Sequence, residues 1–356
     1  MNLEESKMSS GKKEVSIFKK ISSNLDSRTI WTFIALLIIL FVDRLLSPNF
    51  FDIRMVNGRY VGSLINILDS AAPYALLAIG MTLVIATKGI DLSVGAVMAI
   101  CASVAVVLIR NYEAGATEFY YQPAFVIIIS IFVGALCGLW NGVLVAFLDL
   151  QPIIATLILM VAGRGIAQMI TGGQSPTFTD DTLAFVGRGV VFGIPFPIYI
   201  AIAVLIIVTL LVRRTALGLL IESVGVNDRA SFYAGIHASN IKLFTYVLSG
   251  ICAAIAGLIV AGEVKSADPH TAGLFSELDA ILAVVIGGTS LIGGRFYLGL
   301  SVMGVLIIQS LLAGLYVSDL HPTTNLVVKA IVVLTVLLLQ SPEFRQFVSK
   351  PFRRTA

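Results

Sequence analysis

Charged side chains are scarce in this chain, in which only 13% of residues are Asp, Glu, Lys or Arg and 57% are hydrophobic. Soluble domains typically carry about 25% charged residues, so this balance excludes an ordinary water-soluble domain and indicates a polytopic membrane protein. The net charge is only +3. The basic residues fall where membrane topology places them, so the charge calls for no nucleic-acid partner.

The sequence also lacks the residue groupings that carry most chemistry. The three cysteines, Cys101, Cys137 and Cys252, lie in separate apolar runs without metal-ligand spacing, and no His or carboxylate cluster supplies it. No Gly-x-Ser-x-Gly elbow is present, and the only Gly-Lys pair, Gly11-Lys12, has Ser6 where a phosphate loop requires Gly. We therefore predict no metal, no cofactor and no enzymatic activity on this chain. The class that remains is a transporter whose energy source is not on this chain.

The apolar runs are long enough for a multi-pass bundle, because a span needs about 20 apolar residues, or fewer where a helix is broken inside the protein. We predict ten spans, at residues 30–47, 64–87, 93–110, 123–147, 152–171, 194–212, 243–262, 278–292, 297–315 and 325–340. Most of the 24 Lys and Arg residues lie on the cytoplasmic side if the N-terminus is cytoplasmic. The predicted fold is an all-α membrane protein of about ten transmembrane helices, some short or Gly-broken, with both termini cytoplasmic.

This topology divides the chain into three parts. Residues 1–28 form a polar cytoplasmic tail, residues 29–340 the transmembrane domain and residues 341–356 a basic cytoplasmic tail. One polar insert, residues 213–242, interrupts the apolar runs. Its apolar residues have helical spacing around Glu222, and a polar break follows at Asn227 and Asp228. We predict a short helix and turn presented to the cytoplasm, although an ordinary solvated loop would also fit.

Glycine interrupts two of the predicted spans. Residues 88–93 separate the apolar runs on either side of them, as either a tight cytoplasmic turn or a broken helix inside the protein. The run from Gly287 to Gly294 breaks a second span. Short, Gly-broken segments in the two halves of a transporter often mark the substrate path, so Gly287, Gly288 and Thr289 are candidates for it. Close helix packing would equally account for such glycines.

Polar residues within the spans are mostly neutral. Neutral donors and acceptors suit a polyhydroxylated solute. The candidates for lining its path are therefore Asn141, Gln151, Thr156 and Gln168. Hydrogen bonding between helices is the alternative for each of them. Arg164 either reaches the outer interface or lines the same path.

Several segments, taken in order and spacing, identify a family. They are residues 89–95 (GIDLSVG), 151–156 (QPIIAT), 170–173 (ITGG), 246–250 (YVLSG), 277–280 (ELDA) and 285–294 (VIGGTSLIGG). Together they resemble permease subunits of bacterial sugar ABC importers of the ribose, xylose and galactofuranose type, over about residues 30–340. Residues 157–166 and 215–222 look closest to the galactofuranose type.

The resemblance implies an inner-membrane permease with a separate nucleotide-binding ATPase, a periplasmic sugar-binding protein and a second permease that is a different chain in galactofuranose systems. Membrane lipid is the remaining expected partner. The resemblance further implies a monosaccharide substrate, with galactofuranose as the first choice and a pentose such as arabinose or ribose as the next. The insert would dock on the ATPase, through Gly218, Glu222, Gly225, Arg229 and Gly235. Ser223 and Ser231 depart from the Ala that this family usually carries there, which puts the packing on the ATPase in doubt.

Two other classes compete with this interpretation. An ion-coupled secondary transporter is disfavoured because the spans hold no clear mid-span carboxylate relay and because the polar insert is long. A membrane scaffold that transports nothing would leave the neutral polar residues of the spans unexplained.

Overall fold

A computed structural model describes residues 27–56 and 58–317, together with five separate residues at 327, 330, 331, 334 and 338. Most of the predicted span 325–340, the basic tail 341–356 and nearly all of the polar tail 1–28 therefore lie outside the described residues.

The described part is almost entirely helical. Its helices in chain order are α1 (Ser27–Leu46), α2 (Ser63–Ala86), α3 (Val94–Glu113), α4 (Pro123–Ala146), α5 (Pro152–Thr171), α6 (Asp181–Arg188), α7 (Phe196–Arg214), α8 (Leu217–Val226), α9 (Asp228–Tyr233), α10 (Ala238–Val264), α11 (Ser276–Ile286) and α12 (Leu298–Val317). A 3-10 turn covers Phe119–Tyr121. Two antiparallel ribbons pair β1 (Arg54–Val56) with β2 (Arg59–Val61), and β3 (Val190–Val191) with β4 (Ile194–Pro195).

Eight of these helices, α1 to α5, α7, α10 and α12, are long and apolar enough to cross a membrane. They coincide with eight of the ten predicted spans, which confirms the all-α multi-pass fold. The predicted span 278–292 is instead α11, which has 11 residues and ends at Ile286. Gly288, Gly293 and Gly294 follow it with φ values of 84°, 85° and 93°, which helical geometry excludes. At 1.5 Å per residue α11 covers about half of a bilayer core of about 30 Å.

The centre of the bundle is formed by α2, α3 and α10, whose side chains are largely buried, whereas α1, α4, α5 and α7 expose broad apolar faces. Gly134, Gly138 and Gly142 recur every fourth residue along α4 and face α10. A Cβ atom at Gly134 would lie 2.6 Å from the Gly250 carbonyl oxygen. Small residues are therefore required where α4 and α10 bring their backbones together.

The segment between α10 and α11 folds back into the bundle. Near its start the Ala267 amide donates to the Pro176 carbonyl (3.1 Å), and farther along Gly273 packs against Gly95 in the first turn of α3. The last residue of α3, Glu113, lies at the other end of that helix, where its carboxylate accepts a hydrogen bond from the Thr179 amide (2.6 Å). The segment therefore descends from the outer face, and α11 begins within the bundle. Non-helical backbone is tolerated at such depth because protein surrounds it.

This topology predicts which introduced cysteines a membrane-impermeant maleimide will label in intact cells that express the chain without partners. Thr117→Cys, in the exposed outer connection between α3 and α4, should label, whereas Ala230→Cys, exposed on α9, should label only after permeabilisation. The wild-type chain is the control, because Cys101 and Cys252 are buried and Cys137 is partly buried. Labelling of Ala230→Cys from outside would invert the topology.

Candidate functional site

The polar insert forms a helical hairpin at one end of the bundle, the end that the sequence predicts to be cytoplasmic. The predicted short helix is α8, and the predicted break falls at Asn227, whose side-chain oxygen accepts a hydrogen bond from the Ala230 amide (3.0 Å) and caps α9. Gly235 ends this second helix with φ of 83°. An ion pair between Lys242 and Asp228 then ties α9 to α10.

The helix α8 is seated directly on the glycine-containing turns that follow α2 and α11. A Cβ atom at Gly225 would lie 2.5 Å from the Gly294 amide nitrogen and closer still to the Ala86 carbonyl oxygen. That amide donates to that carbonyl (2.9 Å), and the Lys88 ammonium donates to the Val226 carbonyl (3.0 Å). Only glycine fits at this position, so α8 lies in direct backbone contact with both turns.

The other predicted docking residues differ in their surroundings. Gly218 turns the chain sharply from α7 into α8, because a Cβ atom there would lie 2.6 Å from the Val212 carbonyl oxygen. Glu222 is partly buried, while Arg229 and Gly235 are exposed. The insert also exposes apolar side chains that sequence reasoning missed: Leu219, Val226, Phe232 and Tyr233. Their helical spacing in the sequence does not distinguish them from core residues.

The two serines that depart from the family pattern form a pair. The hydroxyls of Ser223 on α8 and Ser231 on α9 lie 2.9 Å apart and share a hydrogen bond. Because the partners are eight residues apart and on different helices, the pair joins the two halves of the hairpin. Each of the two serine hydroxyls thus provides the hydrogen-bond partner of the other.

A carboxylate is buried inside the bundle, in the turn between α2 and α3. Asp91 is 1% exposed, and its Oδ1 accepts hydrogen bonds from the Ser93 amide (3.0 Å) and the Ser93 hydroxyl (2.7 Å). Asn141 on α4 donates to the same Oδ1 (3.4 Å) and Ser249 on α10 donates to Oδ2 (3.0 Å). Thr156 on α5 accepts from the Leu92 amide (3.2 Å). The structure thus places two path candidates, Asn141 and Thr156, on this turn, fully buried within the chain.

A second polar group lies nearer the outer face, between α5 and the segment that descends to α11. Arg164 donates to the Ala272 carbonyl, and Gln168 Nε2 lies 3.4 Å from His270 Nδ1. These two path candidates are four residues apart, so they share one face of α5. Arg164 is therefore turned toward this segment and interacts electrostatically with Glu277.

Asp268 completes the outer group. Hydrogen bonds from the Thr271 hydroxyl (2.6 Å) and the His270 amide (2.9 Å) hold the pKa of the Asp268 carboxyl below its ordinary value, so it is charged at neutral pH. Sequence reasoning missed Asp268 and His270. Their only signal was a polar run in an outer connection, about a hundred residues away from Gln168.

The remaining path candidates lie apart from this outer group. Gln151 is exposed where α5 begins, at the cytoplasmic end. Gly287 packs against the backbone of Ser301 on α12, and the Thr289 hydroxyl accepts from the Tyr297 amide (3.2 Å). Gly287, Gly288 and Thr289 belong to the turn on which α8 is seated. Within the described residues, no cluster of three or more His, Cys, Asp or Glu is placed to hold a metal ion.

Comparison with known proteins gives consistent matches along the chain. The sequence profile of the family described as "Branched-chain amino acid transport system / permease component" matches residues 63–337. The galactofuranose transporter permease protein YtfT of Escherichia coli (strain K12) is 54% identical over 311 residues, covering 87% of this chain and 89% of that protein. The fructose import permease protein FruF of Bifidobacterium longum (strain NCC 2705) is 38% identical over 344 residues, covering 95% of this chain and 93% of that protein. The ribose import permease protein RbsC of Escherichia coli (strain K12) is 37% identical over 312 residues, covering 86% of this chain and 92% of that protein. No solved structure matches the chain.

Proposed function

This chain belongs to the family of transport-system permease components, and from that membership we propose that it is the membrane-spanning permease of an ATP-driven sugar importer. The observation that carries the proposal is its similarity to sugar permeases over most of both chains. The family description names amino acids, but these relatives are named for sugars. The protein is thus a multi-pass permease of the bacterial inner membrane, and ATP hydrolysis belongs to a separate subunit.

The cytoplasmic hairpin is the surface through which we propose that the ATPase acts. Exposed Leu219, Phe232 and Tyr233 supply apolar contact area, and aromatic side chains often dominate such interfaces. The backbone contact at Gly225 would transmit a displacement of α8 to the turns after α2 and α11. Because packed helices move as rigid elements, those turns would shift α3 and α12 together.

The sugar path is proposed to run past the outer polar group, where Arg164, Gln168 and His270 offer hydrogen-bonding groups to hydroxyls. Val161 and Met169, on α5, are 66% and 83% exposed. Such an exposed apolar face suits contact with a second permease, so the path would lie where two permeases meet. A periplasmic binding protein would deliver the sugar to this outer end. Galactofuranose is the first ligand to test, and arabinose or ribose the next.

The importer proposal predicts that transport in proteoliposomes requires a separate ATPase, ATP and a sugar-loaded binding protein. Uptake of galactofuranose should persist when an uncoupler collapses the proton gradient, because the sequences of the predicted spans show no clear mid-span carboxylate relay. Radiolabelled sugar uptake measures both requirements. Uptake by this chain alone that an uncoupler abolishes would support a secondary transporter instead.

Coupling is predicted to fail in Gly225→Ala, because the added methyl overlaps the Ala86 carbonyl and the Gly294 amide. Overpacking of this kind costs about 1–3 kcal/mol, so we expect sugar uptake to fall about tenfold or more at normal membrane levels. Gly299→Ala is the matched control, because nothing lies within 4 Å of a Cβ atom there. Equal losses in the two variants would contradict the seating of α8.

Phe232→Ala separates docking from internal packing, because this side chain is exposed. It should leave thermal stability unchanged and reduce ATPase stimulation by the sugar-loaded binding protein. Unchanged stimulation in both Phe232→Ala and Gly225→Ala would remove the hairpin from the coupling proposal.

The path assignment predicts that Gln168→Ala raises the KM for sugar uptake about fivefold, which corresponds to the loss of one neutral hydrogen bond. Arg164→Gln should raise it more, because bonds to charged donors are stronger. Gln174→Ala is the control, since Gln174 is exposed just beyond the outer end of α5. If Gln168→Ala and Gln174→Ala changed the KM alike, the sugar would not pass this face of α5.

A further inference from the structure

A cavity of about 840 Å³ opens among the described residues at the cytoplasmic end of the bundle, away from the outer polar group. Its walls come from the start of α1, the second half of α7, the helix α8, and the connection into α12 with the first turns of that helix. The volume falls within the range of small-ligand sites, about 300–1,000 Å³. The coupling and path proposals assign no ligand to it.

The rim of the cavity is positively charged. Arg213 and Arg295 line it, and Glu222 is the one acidic side chain among its described lining residues, so the formal charge of the lining is +2 − 1 = +1. Neither guanidinium forms an ion pair with another described residue. Thr29 and Thr215 add hydroxyls near the same rim. The rim thus suits a ligand with one negative charge and further hydrogen-bonding groups.

The deeper part of the cavity is largely apolar, with Thr209 as a polar member of its lining. Leu205, Thr209 and Val212 line it from one face of α7, at the i, i+4 and i+7 positions. They extend about 10 Å along the helix from its charged end. Leu300 and Met303 face them from α12. The cavity therefore changes from cationic to largely apolar along the axis of α7.

We propose that this cavity binds a singly anionic phospholipid of the inner leaflet, of the phosphatidylglycerol type. Arg213 and Arg295 would hold the phosphate, hydroxyl groups at the rim would meet the glycerol headgroup, and the apolar wall would take the upper part of an acyl chain. Basic pockets between transmembrane helices on the cytoplasmic side are a recurring form of such sites. A free phosphate or a soluble sugar phosphate would leave the apolar part unused.

Occupancy of the cavity has a consequence for α8. Gly218, Leu219 and Glu222 form part of the cavity wall and belong to the helix seated on the two glycine-containing turns. A bound lipid would therefore contact the helix that the ATPase is proposed to move. The lipid site itself does not depend on which solute is transported.

Native mass spectrometry of the full-length chain, released from bilayers of phosphatidylglycerol and phosphatidylethanolamine, tests the proposal. The wild type should retain one phosphatidylglycerol in preference to phosphatidylethanolamine. In Arg213→Gln/Arg295→Gln, retention should fall roughly thirtyfold, which corresponds to two lost cation contacts near the membrane surface. Arg213→Lys/Arg295→Lys keeps both charges and should retain most of the lipid.

Arg214→Gln is the matched control, because Arg214 is exposed, adjacent to Arg213 and not among the described lining residues. It should retain lipid like the wild type, and thermal unfolding should show that all variants are folded. Four results would overturn the proposal: unchanged retention in the double Gln variant, an equal loss in Arg214→Gln, equal retention of phosphatidylethanolamine, or displacement of the lipid by millimolar inorganic phosphate. Lipid retention that begins only after removal of residues 1–26 would also overturn it, because that segment would then be the natural occupant.

Discussion

A carboxylate that is buried away from water must be satisfied by the protein, and Asp91 imposes this constraint at the centre of the bundle. Its oxygens accept hydrogen bonds from the turn itself, from α4 and from α10, while Thr156 holds the same turn to α5. A hydrogen bond contributes about 0.5–1.5 kcal/mol, and leaving a buried polar group without its partner costs about 1–3 kcal/mol. The turn is therefore fixed relative to three helices at once, and the first turn of α3 is fixed with it.

Glycine provides the second constraint, since apolar side chains gain little by leaving lipid for a neighbouring helix. The stripe of Gly134, Gly138 and Gly142 lets α4 and α10 meet backbone to backbone. Gly225 does the same for α8 against the turns that follow α2 and α11. Contacts of this kind leave no flexible side chain between the elements, so α8 meets the two turns backbone to backbone.

These constraints connect the two ends of the protein. The Asp91 turn lies between α8 on the cytoplasmic side and the first turn of α3, where Gly95 packs against Gly273. Gly273 follows directly after Ala272, whose carbonyl accepts from Arg164. A contiguous series of backbone and side-chain contacts thus runs from the hairpin to the outer polar group. This series gives a physical route by which a displacement of α8 would alter the proposed sugar path.

Much of the fold was predictable from sequence because hydropathy depends only on composition along a run. Eight spans and the hairpin were found in this way, and the polar break at Asn227 gave the boundary between α8 and α9 correctly. The end of α11 was placed too late, because apolar residues continue beyond Ile286 and the three left-handed glycines outweigh them. The family was also recognisable, since ordered short motifs carry it.

The sequence by itself determined the membrane class, the helical spans, the absence of a phosphate loop and the position of the cytoplasmic hairpin. Only the tertiary structure decided which polar residues meet, because pairing depends on three-dimensional distance. Asn141 and Thr156 are path candidates from the sequence, and only the structure shows that both bond to the Asp91 turn. Ser223 and Ser231 looked like two separate departures but share one hydrogen bond. Gln168 gained its neighbour His270 only because the chain folds back between α10 and α11.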